Sequence, residues 1–370
     1  MTFSPSDTGH MRAALTLARR NLGTTWPNPS VGCVIVSNGA VIARGWTQPS
    51  GRPHAETEAL ARAGAAASGA TAYVTLEPCS HHGKTPPCAD ALVAARIARV
   101  VVAIEDPDPR VAGKGFAALK KAGIRLDVGL LAEEAAELNA GFFSRVREGR
   151  PLVTLKVATT LDGRIATHRG ESQWITGETA RRRAHALRAQ HDAILVGVGT
   201  ALADDPELTC RLPGLATRSP VRIVLDPRLR LPLTSKIVRT ARNVPTWIAA
   251  YPDGDPDRRD AFRDCGVALV DVEPSSGDQP DMHGLMRTLG ERGLTRLLVE
   301  GGGRVTGALL AEGLIDRAVW FRAGGIMGGD GIPVAVAFGV DRLSQMPRLV
   351  RCSVEPCGED IVETFAVPGN

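Results

Sequence analysis

Short apolar runs alternate with helix-length segments along this chain, and the alternation stops and restarts at Gly149-Arg150-Pro151. A chain patterned this way has few ways to bury its apolar surface. Its strands must line up in layered sheets with helices packed on the faces. The glycine–proline break marks the border between two such units. Length agrees: 370 residues suggest two domains at roughly 100–200 residues each. We therefore expect one domain over residues 1–148 and a second over 151–370, both α/β. No internal repeat relates them.

In the first half, Asp7 is placed to cap a helix running to Asn21. Strands follow at Val31–Val36 and Val41–Ala43, joined by the Asn38-Gly39 hairpin signal. Pro53 opens a helix, and Ala72–Leu76 forms a strand. Helices near Ala89–Ala98 and Lys114–Ala122 then alternate with strands at Arg99–Ile104 and Arg125–Val128, and Glu133–Arg147 closes the half as one helix. A hairpin followed by alternating helices and strands predicts three layers. The second half starts with a strand at Leu152–Ala158. Apolar runs at Ala193–Val196, Val221–Leu225, Val267–Val270 and Arg296–Val299 alternate with helices near Glu178–Ala189, Asp257–Asp264 and Arg304–Glu312, so a mostly parallel sheet is expected. Glu273–Asp281 reads as a surface loop.

Bulk properties narrow the function. A net charge of +4 is too mild to imply a polyanion partner, though it suits a phosphorylated small molecule. At 4% aromatics the chain is poor in platforms for stacking bases. Seven cysteines, odd in number and irregularly spaced, argue against a disulfide framework and for a reducing compartment. The first ten residues lack an apolar signal region, and no run approaches the ~18 apolar residues of a membrane span. A soluble cytoplasmic protein is expected, with no membrane or nucleic-acid partner and with room for a homo-oligomer.

Three short elements carry chemistry: His54-Ala55-Glu56, Pro78-Cys79 and Pro87-Cys88. A lone buried cysteine is ordinarily a small hydrophobe. One imidazole and two thiolates together make a three-ligand set for Zn²⁺, with a fourth position left for water. Glu56 lies two residues after His54 at a helix start, where a carboxylate can shuttle protons without binding metal. Cys88 precedes a helix whose positive end favours a thiolate. The order matches the nucleobase deaminase signature H-x-E…P-C-x-x-C, although eight residues separate Cys79 from Cys88.

The stretch Thr71 to Cys88, with Pro27-Asn28-Pro29-Ser30-Val31-Gly32 and Pro53-His54-Ala55-Glu56, resembles the deaminase half of the bifunctional riboflavin biosynthesis family. The resemblance implies a cytidine-deaminase-like fold and hydrolytic loss of the 2-amino group from a diaminopyrimidinone carrying a ribosylamino 5-phosphate. It implies zinc on His54, Cys79 and Cys88, Glu56 as proton shuttle, and substrate contacts from Asn28, His81 and Lys84. On the residues alone, Asn28 is also a good turn residue between prolines, and His81 and Lys84 suit a solvated loop.

In the second half, Val299-Glu300-Gly301-Gly302-Gly303-Arg304 joins a predicted strand to a predicted helix. Glycines there let backbone N–H groups approach a phosphate at a helix start. It is not the G-x-G-x-x-G fingerprint, and a plain turn is the commoner meaning of such a run. Thr154 to Arg164, Glu171 to Thr176 and Val196 to Pro206 resemble the reductase half of the same family, which is similar to dihydrofolate reductase in fold. That resemblance implies NADPH delivering hydride to C1′ of the ribose. It places Lys156, Ser172, Arg188, Leu208, Arg211 and Glu300 on the substrate. It places Ala158, Trp174, Thr200, Asp204, Gly301, Gly302 and Gly303 on the nucleotide. Arg188 and Arg211 are the cations expected near the phosphate. Pro227 stands where relatives often carry serine, and Phe321 to Gly325 departs from the usual Ala-Pro-Lys-like run.

Two other readings use the same zinc signature. A nucleic-acid deaminase with an accessory domain conflicts with the mild charge and few aromatics. A structural zinc module needs a fourth protein ligand, and only three are suitably placed.

Overall fold

The computed structural model describes residues 3–81, 86–275 and 279–368. The chain divides into two compact units, Met1–Gly149 and Arg150–Asn370.

The first unit runs α1 (Pro5–Ala18), β1 (Gly32–Ser37), β2 (Ala40–Trp46), α2 (Ala55–Ala63), β3 (Thr71–Val74), α3 (Cys88–Ala94), β4 (Arg99–Val102), α4 (Lys114–Lys121), β5 (Arg125–Val128), α5 (Ala132–Leu138) and α6 (Ala140–Glu148). Its sheet has the order β2-β1-β3-β4-β5, with β1 antiparallel to both neighbours and the rest parallel. Alternation along the strands sends Ile35, Ala72, Val74, Val100 and Val102 to one face, against Ala55 and Ala59 of α2, Leu92 of α3 and Leu119 of α4. Val34, Tyr73 and Val101 point to the other face, against Met11 and Leu15 of α1 and Ala135 of α5. The three predicted layers are present.

Two expectations are corrected. Ser4, not Asp7, caps α1: the Ser4 hydroxyl accepts the Asp7 N–H, and the Asp7 carboxylate accepts the Ser4 N–H at 3.0 Å. Asp7 is buried, where it also accepts from the Tyr73 hydroxyl and from Arg99, each at 2.7 Å. The helix expected over Glu133–Arg147 is two helices. It breaks at Asn139, whose buried side chain holds Ser30 at both ends: it accepts the Ser30 N–H at 2.9 Å and donates to the Ser30 carbonyl at 3.1 Å. That clamp fixes the loop carrying Asn28.

The second unit contains β6 (Leu152–Thr159), β7 (Arg164–Ala166), α7 (Glu178–Arg188), β8 (Ala193–Gly197), α8 (Val198–Asp204), β9 (Val221–Leu225), α9 (Lys236–Arg239), β10 (Thr246–Ala250), α10 (Pro256–Asp264), β11 (Ala268–Asp271), α11 (Met282–Glu291), β12 (Arg296–Val299), α12 (Gly303–Ala311), β13 (Arg317–Arg322), β14 (Ile332–Pro333), β15 (Val350–Cys357) and β16 (Asp360–Ala366). Nine strands form one sheet, β11-β10-β9-β8-β12-β6-β13-β16-β15. The pairs from β11 to β13 are parallel, and β16 and β15 add antiparallel strands at one edge. The sequence reading did not anticipate β10, β13, β15, β16 or α11. Glu273–Asp281 is a loop with a bridge between Pro274 and Pro280, residues 276–278 lying outside the described residues.

Chain direction explains where the second site forms. From β8 the chain moves outward through β9, β10 and β11, then returns so that β12 sits between β8 and β6. The strand order reverses beside β8, and ligands of such sheets bind at the carboxyl ends of the strands at that point. Both α8 and α12 begin there.

Candidate active sites

The first site forms where three connections meet. His54 is the N-cap of α2, in extended conformation. Cys79 follows β3, and Cys88 is the first residue of α3. The His54 Nδ1 lies 3.6 Å from Cys79 Sγ and 3.3 Å from Cys88 Sγ, and the three donor atoms lie within 4.8 Å of one another. A tetrahedral Zn²⁺ with bonds of about 2.0–2.3 Å sets neighbouring N and S ligands about 3.6 Å apart. The observed spacing fits that ion. The Cys88 backbone N–H donates to Cys79 Sγ at 3.3 Å. Hydrogen bonds from Cys88 and His54 outweigh burial and pull the Cys79 thiol down to about 4. Cys88 is pushed up by the Cys79 sulfur and by burial.

Glu56 stands in the first turn of α2 and is 3% exposed. Burial pushes its carboxyl up to about 7, in the range where a carboxyl both takes and gives a proton. The Asn28 side chain lies against Gly51, where a Cβ would sit 2.0 Å from its Nδ2; Gly51 has φ +82°. Only glycine leaves that space in the loop leading to His54. His81 Nδ1 is buried without a hydrogen-bond partner among the described residues. Lys84 lies outside the described residues. The sequence reading assigned no role to Glu77, which accepts backbone N–H groups from Asp106, Gly113 and Phe116 at 3.0–3.3 Å. It ties the strand end before Cys79 to the start of α4. A carboxylate at the end of an apolar strand was the available signal.

In the second unit a cavity of about 290 Å³ is lined by Lys156, Ala158, Trp174, Arg188 and Arg211 among the expected residues. Thr176, Arg181 and His185 line it as well and were assigned no role from sequence; Phe321, noted there only as the start of a departure from the family's run, also lines it. Arg181 and His185 lie one helical turn apart on α7, with Arg188 three residues further on the same face. Trp174 is 65% exposed, with the Arg181 guanidinium 4.7 Å above its ring, so it is not a core residue.

Glu300 directly follows β12 and is 6% exposed at its side chain. Arg188 grips it with Nε and Nη2 at 2.6 and 2.9 Å, and Lys156 Nζ lies 3.6 Å away. Burial pushes the Glu300 carboxyl up, but Arg188 and Lys156 outweigh it and hold it at about 2. Arg188 also donates to the Thr209 carbonyl at 3.0 Å. Its main partners are therefore protein groups rather than an open anion site. Leu208 has φ +54° and its side chain is in the core, leaving only its main chain to face a ligand. Ser172 is half-buried and is not among the residues lining the cavity.

The glycine turn has the shape of a phosphate cradle. Gly301 and Gly302 have φ of +135° and +86°, and a Cβ on Gly302 would meet Thr200 Oγ1 at 3.0 Å. The turn leads into α12, and Thr200 lies in the first turn of α8, so two helix starts converge on bare backbone. That arrangement fits a nucleotide phosphate. Asp204 is the last residue of α8, exposed, one turn beyond Thr200. Pro227 follows β9 on the far side of β8.

Residues 151–362 match the RibD C-terminal domain, and residues 4–104 match the cytidine and deoxycytidylate deaminase zinc-binding region. The riboflavin biosynthesis protein RibD of Aquifex aeolicus is 42% identical over 97% of this chain and 98% of its own. The chain belongs to the RibD family. RibD of Escherichia coli strain K12 is also 42% identical, covering 96% of this chain and 98% of its own. A crystal form of Acinetobacter baumannii RibD is 40% identical, with a TM-score of 0.88 and 98% coverage of each chain. A Thermotoga maritima structure titled diaminohydroxyphosphoribosylaminopyrimidine deaminase/5-amino-6-(5-phosphoribosylamino)uracil reductase is 34% identical, with a TM-score of 0.85 over 98% of this chain and 99% of that one. As a RibD protein the chain is a bifunctional deaminase and reductase of riboflavin biosynthesis. Zinc serves the deaminase and NADPH the reductase, and the two folds are the cytidine-deaminase-like and dihydrofolate-reductase-like ones expected. No helix among the described residues is long and apolar enough to cross a membrane.

Proposed function

We propose that Met1–Gly149 removes the 2-amino group of the diaminopyrimidinone ribosylamino 5-phosphate by hydrolysis, and that Arg150–Asn370 then reduces the ribosyl chain to ribityl phosphate. The carrying observation is the meeting of His54 Nδ1, Cys79 Sγ and Cys88 Sγ at 3.3–3.6 Å beside the buried Glu56. His54, Cys79 and Cys88 would hold the zinc, which when bound lowers the pKa of a water molecule toward neutrality. Glu56 takes a proton from the attacking water and delivers it to the departing amine. Asn28, His81 and Lys84 are assigned to the substrate.

In the reductase, NADPH supplies the hydride. Gly301 to Gly303, Thr200 and Asp204 would hold its phosphates and sugar, with Ala158 and Trp174 beside the nicotinamide end. Lys156 faces the cavity as a cation and stabilises the negative charge that ring opening places on the sugar oxygen. Glu300 holds Lys156 in place and is held in turn by Arg188. Arg211 lines the cavity, and Ser172 and the Leu208 main chain are assigned to the substrate with it. The substrate is a free phosphorylated pyrimidine rather than nucleic acid. Seven unpaired thiols support work in a reducing cytoplasm.

The test is to give zinc-replete protein the diaminopyrimidinone ribosylamino phosphate, with and without NADPH, following ammonia release and NADPH absorbance. Ammonia appears without NADPH, and absorbance falls only once both are present. Glu56→Gln loses ammonia release but still oxidises NADPH on the deaminated substrate. Equal loss of both steps in the folded variant refutes the assignment of separate sites.

A further inference from the structure

The cavity of the second unit is lined by Lys156, Arg181, Arg182, Arg188 and Arg211 and by one acid, Glu178, while Glu300 lies 3.6 Å from Lys156 and Glu207 lies 3.5 Å from Arg211, leaving five cations near three carboxylates. Arg188 is paired with Glu300. The surplus of positive charge suits a phosphate monoester. Among the lining side chains that have no place in the mechanism above is His185. His185, on the cavity face of α7, turns Nδ1 toward the segment that follows α8. There Nδ1 lies 3.1 Å from the Thr209 carbonyl and 3.3 Å from the Arg211 N–H. The ring lines the cavity, and Nε2 has no protein partner among the described residues, nor is it among the buried unpartnered atoms.

One ring nitrogen cannot donate to the carbonyl and accept from the N–H at once. The Thr209 carbonyl already accepts from Arg188 Nη1 at 3.0 Å. The Arg211 N–H has no other acceptor among the described residues. A lone pair on Nδ1 satisfies the group that otherwise lacks a partner, and the ring proton then sits on Nε2, facing the cavity. We propose that His185 is a substrate-positioning residue of the reductase, whose Nε2–H donates to the substrate's phosphate while its Nδ1 anchors the segment carrying Arg211. This rests on the phosphate-bearing substrate of the reading above. Charges around the ring agree with a neutral imidazole. Burial, Arg188 on the same helix and Arg211 on the facing segment push its pKa down, opposed by Glu300 after β12 and by the Thr209 carbonyl beside Nδ1. Lys156 of β6 adds a further positive charge on the same cavity wall.

The two ring nitrogens can be separated by substitution. In His185→Asn the side-chain oxygen takes the place of Nδ1 and still accepts the Arg211 N–H, but nothing donates from the place of Nε2. In His185→Gln the terminal NH₂ reaches toward the place of Nε2. NADPH oxidation by the full zinc-loaded chain is measured with the deaminated ribosylamino phosphate and with its dephosphorylated analogue. For the phosphorylated substrate, His185→Asn raises KM about tenfold, the worth of one hydrogen bond to a charged group, with kcat within about twofold. His185→Gln restores KM to within about threefold. With the dephosphorylated analogue His185→Asn, which keeps the acceptor for the Arg211 N–H, does not differ from the parent chain. An unchanged KM in His185→Asn overturns the proposal, as does an equal rise in both variants or an equal rise for both substrates. Long-range ¹H–¹⁵N spectra of histidine-labelled protein give a readout free of turnover: the His185 proton is on Nε2, and its signals move on titration with inorganic phosphate. A proton on Nδ1, or no movement, overturns the proposal even if the parent chain proves to have no reductase activity, so failure of the substrate reading is told apart from failure of this one.

Discussion

Replacing Glu300 with glutamine keeps the shape of the side chain and removes one buried charge. In the folded chain the carboxyl sits at about 2, against an ordinary value of 4.5. That gap, at about 1.4 kcal/mol for each tenfold, is worth about 3 kcal/mol of stability at neutral pH. The structural source is the two-pronged grip of Arg188 with Lys156 behind it, and Glu300→Gln leaves both cations without their counter-charge. At ~2–4 °C per kcal/mol for a unit of this size, the calorimetric transition of Arg150–Asn370 falls by about 6–12 °C at pH 7. The pH dependence has a definite sign. A depressed carboxyl stabilises the fold above its unfolded pKa, and the effect fades as pH falls from there through the folded value. The gap between parent and variant therefore narrows as pH falls, by about 1 kcal/mol at pH 4 and about 2 kcal/mol at pH 3. Adding Arg188→Met to Glu300→Gln costs less than the two single changes summed, because the second removes a cation already unpaired. A transition that does not move at pH 7, or a gap that stays constant from pH 7 to pH 3, refutes this account of the ion cluster.

Removing zinc with a chelator abolishes ammonia release and lowers the melting transition of Met1–Gly149, because Cys79 and Cys88 lose the cation that would hold their sulfurs together. NADPH oxidation on the deaminated substrate is unchanged, and calorimetry with the two activity assays reads all three. Gly302→Ala forces a side chain onto φ +86° and within 3.0 Å of Thr200 Oγ1, a strain of about 1–3 kcal/mol, so NADPH binding measured by fluorescence titration weakens tenfold or more. Arg222→Met leaves the carbonyls of Glu207, Ile237 and Val244 without the guanidinium that now binds them at 2.9–3.2 Å. Arg222 is fully buried with no ion-paired acid among the described residues, and urea unfolding registers a loss of about 3 kcal/mol or more. A loss under 1 kcal/mol would mean that water replaces the arginine.

Both chemistries were legible because each is written in short, local patterns. His54, Glu56, Cys79 and Cys88 were found from residue type, order and spacing, since a metal set and its carboxylate must be present whatever the surrounding fold. The glycine run at Gly301 to Gly303 was legible as a strand-to-helix turn, because bare backbone at a helix start is a sequence property, while its nucleotide role rested on the family resemblance. The order of elements, a hairpin and then alternating helices and strands, also revealed the layers of the first unit, whose central strands are apolar and buried on both faces.

What tertiary structure alone decided are the pairings between distant residues. Asn139 interrupts a helix that its neighbours favour, because its amide has two partners on Ser30 that no local pattern contains. Asp7 is acidic at a helix start, as a cap should be, yet the fold buries it against Arg99 and Tyr73 and leaves the hydroxyl cap to Ser4. Arg188 was read as a cation for a phosphate, and the sheet brings Glu300 to it across 112 residues. His185 had no motif to mark it. Its role depends on which ring nitrogen meets the segment after α8 and which meets the cavity, a choice made only when helix and segment pack together. The physical reason is common to all four. Residue type states what a side chain is able to do, but its charge state and its free donors are set by partners that only the folded chain supplies.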